Sequence, residues 1–238
     1  MFFGWALAGV AGGAAGIGTG MTAMPLLILL LQPSDVILVA TLGGFGAALH
    51  VTWAYRSSFR WGDMRPLFLG SLPGIAAGAL TLKAVSVPVL QLLLGFVLLS
   101  FIVFQLLRRR RQLRLPDSPS VGLLAGFLCG FTGASVAIPG APLGIYVILR
   151  GWDTDRSRGN MSLYFVFIMG LSVLAQAAAG LCTMRILSIG LACAVGSMAG
   201  QSMGVRLGRG MDTSVLHMLI LVFICASAFM LLWRALGL

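Results

Sequence analysis

Long apolar runs separated by short polar breaks organise the whole chain. Runs long enough to cross about 30 Å of hydrocarbon fall at 2–31, 36–55, 66–83, 87–107, 119–149, 160–182, 186–205 and 213–234. Each predicts a helical membrane segment, because in lipid the backbone must satisfy its own polar groups. The eight divide into two sets of four at Arg108-Arg109-Arg110-Arg111-Gln112-Leu113-Arg114-Leu115-Pro116-Asp117, the one markedly polar stretch. The organisation expected is a first repeat over 1–107, a basic cytoplasmic linker over 108–118 and a second repeat over 119–238.

Laying one half on the other supports a duplication, a common building rule of secondary transporters. Gly12, Gly16 and Pro25 fall on Gly126, Gly130 and Pro139 at one fixed offset, so both opening segments read G-x3-G-x8-P. Further along, Met64-Arg65 matches Met184-Arg185 and Gly70 matches Gly190 at a slightly larger offset.

The first and fifth segments are too long for a single crossing. A straight helix of 30 residues spans about 45 Å and needs a tilt beyond the usual limit of about 40°. Gly and Pro also interrupt both near the middle. Each is expected to form two half-helices, 2–15 with 25–31 and 120–130 with 139–149, joined by irregular backbone.

Basic residues choose the topology. If the long segments cross, the basic residues in loops divide ten against six, a feeble bias. If both turn back within the bilayer, Arg56, Arg60, Arg65, the linker arginines, Arg150, Arg156, Arg158, Arg206 and Arg209 share one side, against Lys83, Arg185 and Arg234. The positive-inside rule favours the second arrangement. A hairpin plus three crossings inverts the second copy relative to the first. The fold expected is therefore an all-α polytopic integral membrane protein built as an inverted repeat, with segments 1 and 5 re-entrant and both termini extracytoplasmic.

Composition narrows the function. Hydrophobic residues make up 59% of the 238 and charged residues 9%, whereas a soluble domain carries about 25% charged. The net charge of +10 sits in short clusters between apolar runs, so it reads as topogenic charge rather than a nucleic-acid surface. The first positive charge is Arg56, which leaves no basic region for a cleavable signal. Five tryptophans, Trp5, Trp53, Trp61, Trp152 and Trp233, lie near segment ends, as interfacial anchors do. Cys129, Cys182, Cys193 and Cys225 fall singly in apolar runs without metal spacing. No metal or other cofactor is expected. Enzyme chemistry lacks its parts: there are two His, H-E-x-x-H is absent, and the six acids, all Asp, lie at or near segment ends.

Irregular backbone at membrane depth needs protein cover or water, so the two breaks point to a cavity. The first runs from Gly16 through Ile17, Gly18, Thr19, Gly20, Met21, Thr22, Ala23 and Met24 to Pro25. The second runs from Gly130 through Phe131, Thr132, Gly133, Ala134, Ser135, Val136, Ala137 and Ile138 to Pro139. Each joins glycines and small hydroxyl residues to a Pro able to open a new half-helix. Free N–H groups there favour an anion, and Thr19, Thr22, Thr132 and Ser135 add neutral donors. The substrate-binding set expected is Gly16, Gly18, Thr19, Gly20, Met21, Thr22, Pro25, Gly130, Thr132, Gly133, Ala134, Ser135 and Pro139. The same small residues also suit close helix packing.

His50, Arg56 and Gln176 are candidates for gating or coupling. An ionisable group within the membrane is a functional candidate by default, Arg56 follows a crossing, and Gln176 lies well inside the sixth segment. Asn160 and Ser162 read most simply as helix caps.

The paired G-x3-G…P segments heading two four-segment halves, the Gly-rich segment Gly70-Ser71-Leu72-Pro73-Gly74-Ile75-Ala76-Ala77-Gly78 after a basic loop, and the polar midpoint resemble the sulfite exporter TauE/SafE family. The likeness covers nearly the whole chain. Thr19 between Gly18 and Gly20, and Ala134-Ser135-Val136 after Gly133, depart from a strict glycine pattern. The resemblance implies a multi-pass permease of the bacterial inner membrane whose partner is a small sulfur oxyanion or organosulfonate such as sulfite or sulfoacetate. A non-transporting assembly subunit, or a channel for another small solute, is the alternative. Oligomeric state is open.

Overall fold

The computed structural model describes residues 9–10, 33–108 and 118–208. Seven α-helices make up nearly all of the described chain: α1 Pro33–Tyr55, α2 Trp61–Ala84, α3 Val87–Arg108, α4 Pro119–Val136, α5 Gly140–Arg150, α6 Thr154–Ala178 and α7 Met184–Gly208. A single turn of 3-10 helix, Arg56–Ser58, links α1 to α2. All but α5 are long and apolar enough to cross a bilayer.

Local chemistry sets the helix ends. Pro119 occupies the first turn of α4, where a missing N–H costs nothing. Gly151 closes α5 in the left-handed region at φ 63°, a conformation that favours glycine. Asp153 opens α6 by accepting from Arg156 N. The cap of α6 is thus Asp153, and Asn160 and Ser162 lie inside the helix, contrary to the expectation for them. Asn160 instead ties two helices: its Oδ1 accepts from Arg60 N at 2.9 Å and its Nδ2 donates to Asp63 at 3.4 Å.

Helices α2, α4 and α6 run parallel. Gly70, Gly74 and Gly78 of α2 face the backbone of Leu123, Phe127 and Phe131 of α4, while Gly126 and Gly130 face Leu67 and Ser71 in return. A Cβ at any of these positions would strike the partner's main chain. The paired G-x3-G signal of the fifth segment is, in this half, a helix-packing seam of the small-x3-small kind. Next to it, Tyr164 Oη donates to Leu67 O at 3.3 Å, and Phe68 packs edge-on against Tyr164 and Phe167.

The fifth segment is interrupted within the expected stretch 130–139, but its first half-helix runs six residues past Gly130, to Val136. Gly130 to Ser135 stay helical, and the break is confined to Ala137, Ile138 and Pro139. The seam with α2 holds the helix that far, and the hydroxyls inside it are kept paired by bonding back to their own turn, Thr132 Oγ1 to Leu128 O at 2.8 Å and Ser135 Oγ to Phe131 O at 2.6 Å. Past the break, α5 doubles back along α4. A Cβ on Gly122 would lie 3.5 Å from the Tyr146 hydroxyl, whereas an unbroken helix would put those two residues about 36 Å apart.

The same contacts sort the helix ends. Tyr55 of α1, the starts of α2, α4 and α6, and the end of α5 share one end of the molecule. Arg158 bonded to Tyr55 and Arg156 to Asp63 join α6 to α1 and α2 there, and Tyr146, one turn before the end of α5, lies beside Gly122 of α4. Arg56, Arg60 and Arg65 lie at this end, whereas Lys83 and Arg185 lie at the other. Trp53 and Trp61 are exposed at the arginine-rich end.

Candidate functional site

The break in the fifth segment is built from apolar residues, yet polar groups gather beside it. Val136, Ala137, Ile138 and Ala141 pack into one buried cluster with Val36, Ile37 and Leu38 of α1, Leu94 and Leu98 of α3, and Ile186 of α7. Ala137 adopts φ 54°, ψ 28°, a left-handed conformation that costs a non-glycine residue about 1 to 2 kcal/mol. Such strain persists only where the surroundings enforce it, and it concentrates at functional sites.

Ending a helix inside an apolar core orphans its last carbonyls. Ala137 N–H reaches Gly133 O at 3.2 Å and Ile138 N–H reaches Thr132 O at 3.1 Å. Ala134 O is satisfied from outside, by Gln176 Nε2 of α6 at 2.9 Å. The same amide nitrogen lies 3.4 Å from Thr41 Oγ1 of α1. Gln176, singled out as a polar residue within an apolar run, therefore joins three helices at the break. Its own Oε1 is buried with no partner, as is Ser172 Oγ one turn earlier.

On the far side of the break, α5 begins at Gly140, and Leu143 N–H to Pro139 O is a bond of its first turn. The N–H groups of Gly140 and Ala141 come before it, while Pro139 and Pro142 supply none. These two amides sit at the positive end of the α5 dipole.

The expected site residues of the second half are only partly brought together. Ala134 and Pro139 flank the break. Gly130 is turned to Ser71 of α2, and Gly133 to Ile168 of α6. Thr132 and Ser135 are buried, with their hydroxyl protons directed to Leu128 O and Phe131 O. The break also sits toward the arginine-poor end rather than midway. Ala134 packs with Ala79, near the end of α2, and bonds Gln176, in the last turn of α6. In the first half, Gly16, Gly18, Thr19, Gly20, Met21, Thr22 and Pro25 lie outside the described residues.

His50 and Arg56 stand apart from the break. His50 Nε2 is 3.0 Å from Ser202 Oγ of α7, and the Arg56 guanidinium lies 4.5 Å from the Trp53 ring centroid. An ion pair that sequence alone gave no reason to expect closes the arginine-rich end. Arg156 Nε donates to Asp63 Oδ2 at 2.8 Å and its Nη2 to Oδ1 at 2.6 Å, with the guanidinium 5.2 Å from the Trp152 ring. No group of His, Cys, Asp or Glu among the described residues is arranged to hold a metal. Burial pushes the Cys182 thiol up from its ordinary value, which keeps it a poor nucleophile.

Apolar spans enclosing a strained, polar-lined break define a multi-pass membrane protein of the transporter class. The family model "Sulfite exporter TauE/SafE" matches residues 1–231, and the chain belongs to that family. Its members are membrane transporters and not enzymes. Comparison with curated proteins and with solved structures gives no match.

Proposed function

We propose that the protein exports a small sulfur-containing anion, sulfite or a sulfonate such as sulfoacetate, by alternating access between its two broken segments. The observation that carries this reading is the buried interruption at Ala137, Ile138 and Pro139, strained and capped from another helix by Gln176. Opened backbone inside an apolar core is costly and is kept where it lines a substrate path. The α5 N-terminus supplies positive potential without a buried cation, which lets an anion bind and then leave.

In this reading both broken segments are re-entrant hairpins of an inverted repeat. The arginine-rich end faces the cytoplasm of a bacterium across its inner membrane, and the termini lie outside. The first break, with Thr19 and Thr22, supplies the other wall of the site. Ser135 and Thr132 join when the anion draws their hydroxyls away from the helix carbonyls. His50 and Arg56 lie along the path from the cytoplasm. A negative interior expels anions, so the membrane potential is sufficient as a driving force. Labelled sulfite flux in liposomes holding the purified protein tests this. Thr19→Val and Ser135→Ala should each slow it at least tenfold, and flux indifferent to both overturns the location of the site.

A further inference from the structure

Four residues of α6 spaced by one turn, Tyr164, Ile168, Ser172 and Gln176, are completely buried. Ile168 seats against Gly133 and Gln176 against Ala134, so Ser172 between them lies on the same face, toward the end of α4. The hydroxyls of Thr41, Ser71, Thr132, Ser135 and Ser197 all donate to a carbonyl of their own helix. Ser172 Oγ does not, and it has no other partner. A buried hydroxyl left unpaired in a chain that pairs its neighbours points to a missing ligand.

Gln176 defines what that ligand must carry. Its Nε2 donates to Ala134 O and lies in reach of Thr41 Oγ1, whose own proton goes to Ile37 O. Turning the amide over would set its oxygen against the Ala134 carbonyl, so the orientation is fixed. The two amide protons are committed, and the atom left over is Oε1, which can only accept. An oxyanion without a proton meets a repelling carbonyl oxygen there; one bearing an O–H does not.

We propose that Ser172 and Gln176 form a buried receptor for a singly protonated oxyanion, with Ser172 Oγ–H donating to a ligand oxygen and Gln176 Oε1 accepting the ligand's proton. This rests on the transport reading and sharpens it: the species carried is hydrogensulfite rather than the sulfite dianion. Of the two substrates proposed above this selects sulfite, as hydrogensulfite, over a sulfonate; sulfonates and sulfate, lacking the proton, are poor ligands. The proton crosses on the substrate, so no carboxylate relay is needed.

The test is labelled sulfite flux in liposomes holding the full chain, at fixed total sulfite below saturation, across the pH range in which hydrogensulfite gives way to sulfite. Methanesulfonate, a monoanion without the proton, serves as competitor. For the wild type the rate should fall close to tenfold per pH unit once the dianion dominates, and methanesulfonate should compete at least tenfold more weakly than unlabelled hydrogensulfite. Gln176→Met should bring that preference toward unity. Ser172→Ala should weaken both ligands alike and keep their ratio, because the serine proton serves an oxygen common to both.

A flat pH profile, equal competition by methanesulfonate, or an unchanged preference in Gln176→Met overturns the receptor while leaving transport standing. Absence of sulfite flux from correctly inserted wild-type protein removes the transport reading itself. If Gln176→Met does not fold, the wild-type pH profile and the Ser172→Ala ratio decide the matter alone.

Discussion

The two faces of α4 are built on opposite principles. Toward α2 it presents Gly126 and Gly130, which bring main chain against main chain along a seam completed by Gly70, Gly74 and Gly78. Dispersion between close backbones holds that contact, as in other membrane helix pairs. Toward α6 its last turn meets Ser172 and Gln176, two buried side chains that each leave an atom without a partner, and then enters the strained Ala137. One face has no slack and fixes where α4 stands. The other carries strain and unmet polar capacity at a single level. A transporter needs both, because a site can change partners only if the elements around it are held.

The seam should fail hardest. Gly126→Val places a branched side chain on the Leu67 carbonyl, and overpacking costs about 1 to 3 kcal/mol or more. A large fall in the melting temperature of the detergent-solubilised protein is expected, whereas Gly62→Ala, with open space at its Cβ, should move it little. Equal melting of the two variants would remove the seam from the account.

Next comes the ion pair that joins α2 to α6 at the arginine-rich end. Breaking the two-pronged Asp63 to Arg156 contact by Asp63→Asn or Arg156→Gln should cost about 1 kcal/mol, since both side chains are partly exposed and solvent screens the pair. In a double-mutant cycle the second substitution should add little after the first. Full additivity would mean that the two side chains do not act together.

The smallest effect belongs to the break, and it has the opposite sign. Ala137→Gly relieves a left-handed alanine, so stability should rise by about 1 kcal/mol, less the added freedom of the unfolded glycine. A fall in melting temperature would show that Ala137 is not strained. If stability rises while sulfite flux drops, the strain belongs to the mechanism.

How much of this was legible depends on the distance over which each feature is decided. Run lengths gave the described spans, and the over-long fifth segment gave its interruption. The end of the first half-helix was placed six residues early because Gly130 and Gly133 read as helix breakers, although in the folded protein they are contact points for α2 and α6. Gln176 stood out as a lone amide in an apolar run. Ser172 and Thr41 did not, since small hydroxyl residues are common in membrane helices and usually bond their own turn. Nor did Asp63 with Arg156, separated by 93 residues.

By itself, the amino-acid order determined which stretches become helices and which loops gather arginine. Lipid offers the backbone no partners, so apolar length alone compels helix formation, and loop charge is counted segment by segment. Tertiary structure alone decided where the fifth segment opens and which polar atoms meet there. A helix that ends inside an apolar core leaves carbonyls that its own chain does not all reach, and Gln176 supplies a donor to Ala134 from 42 positions further along the chain.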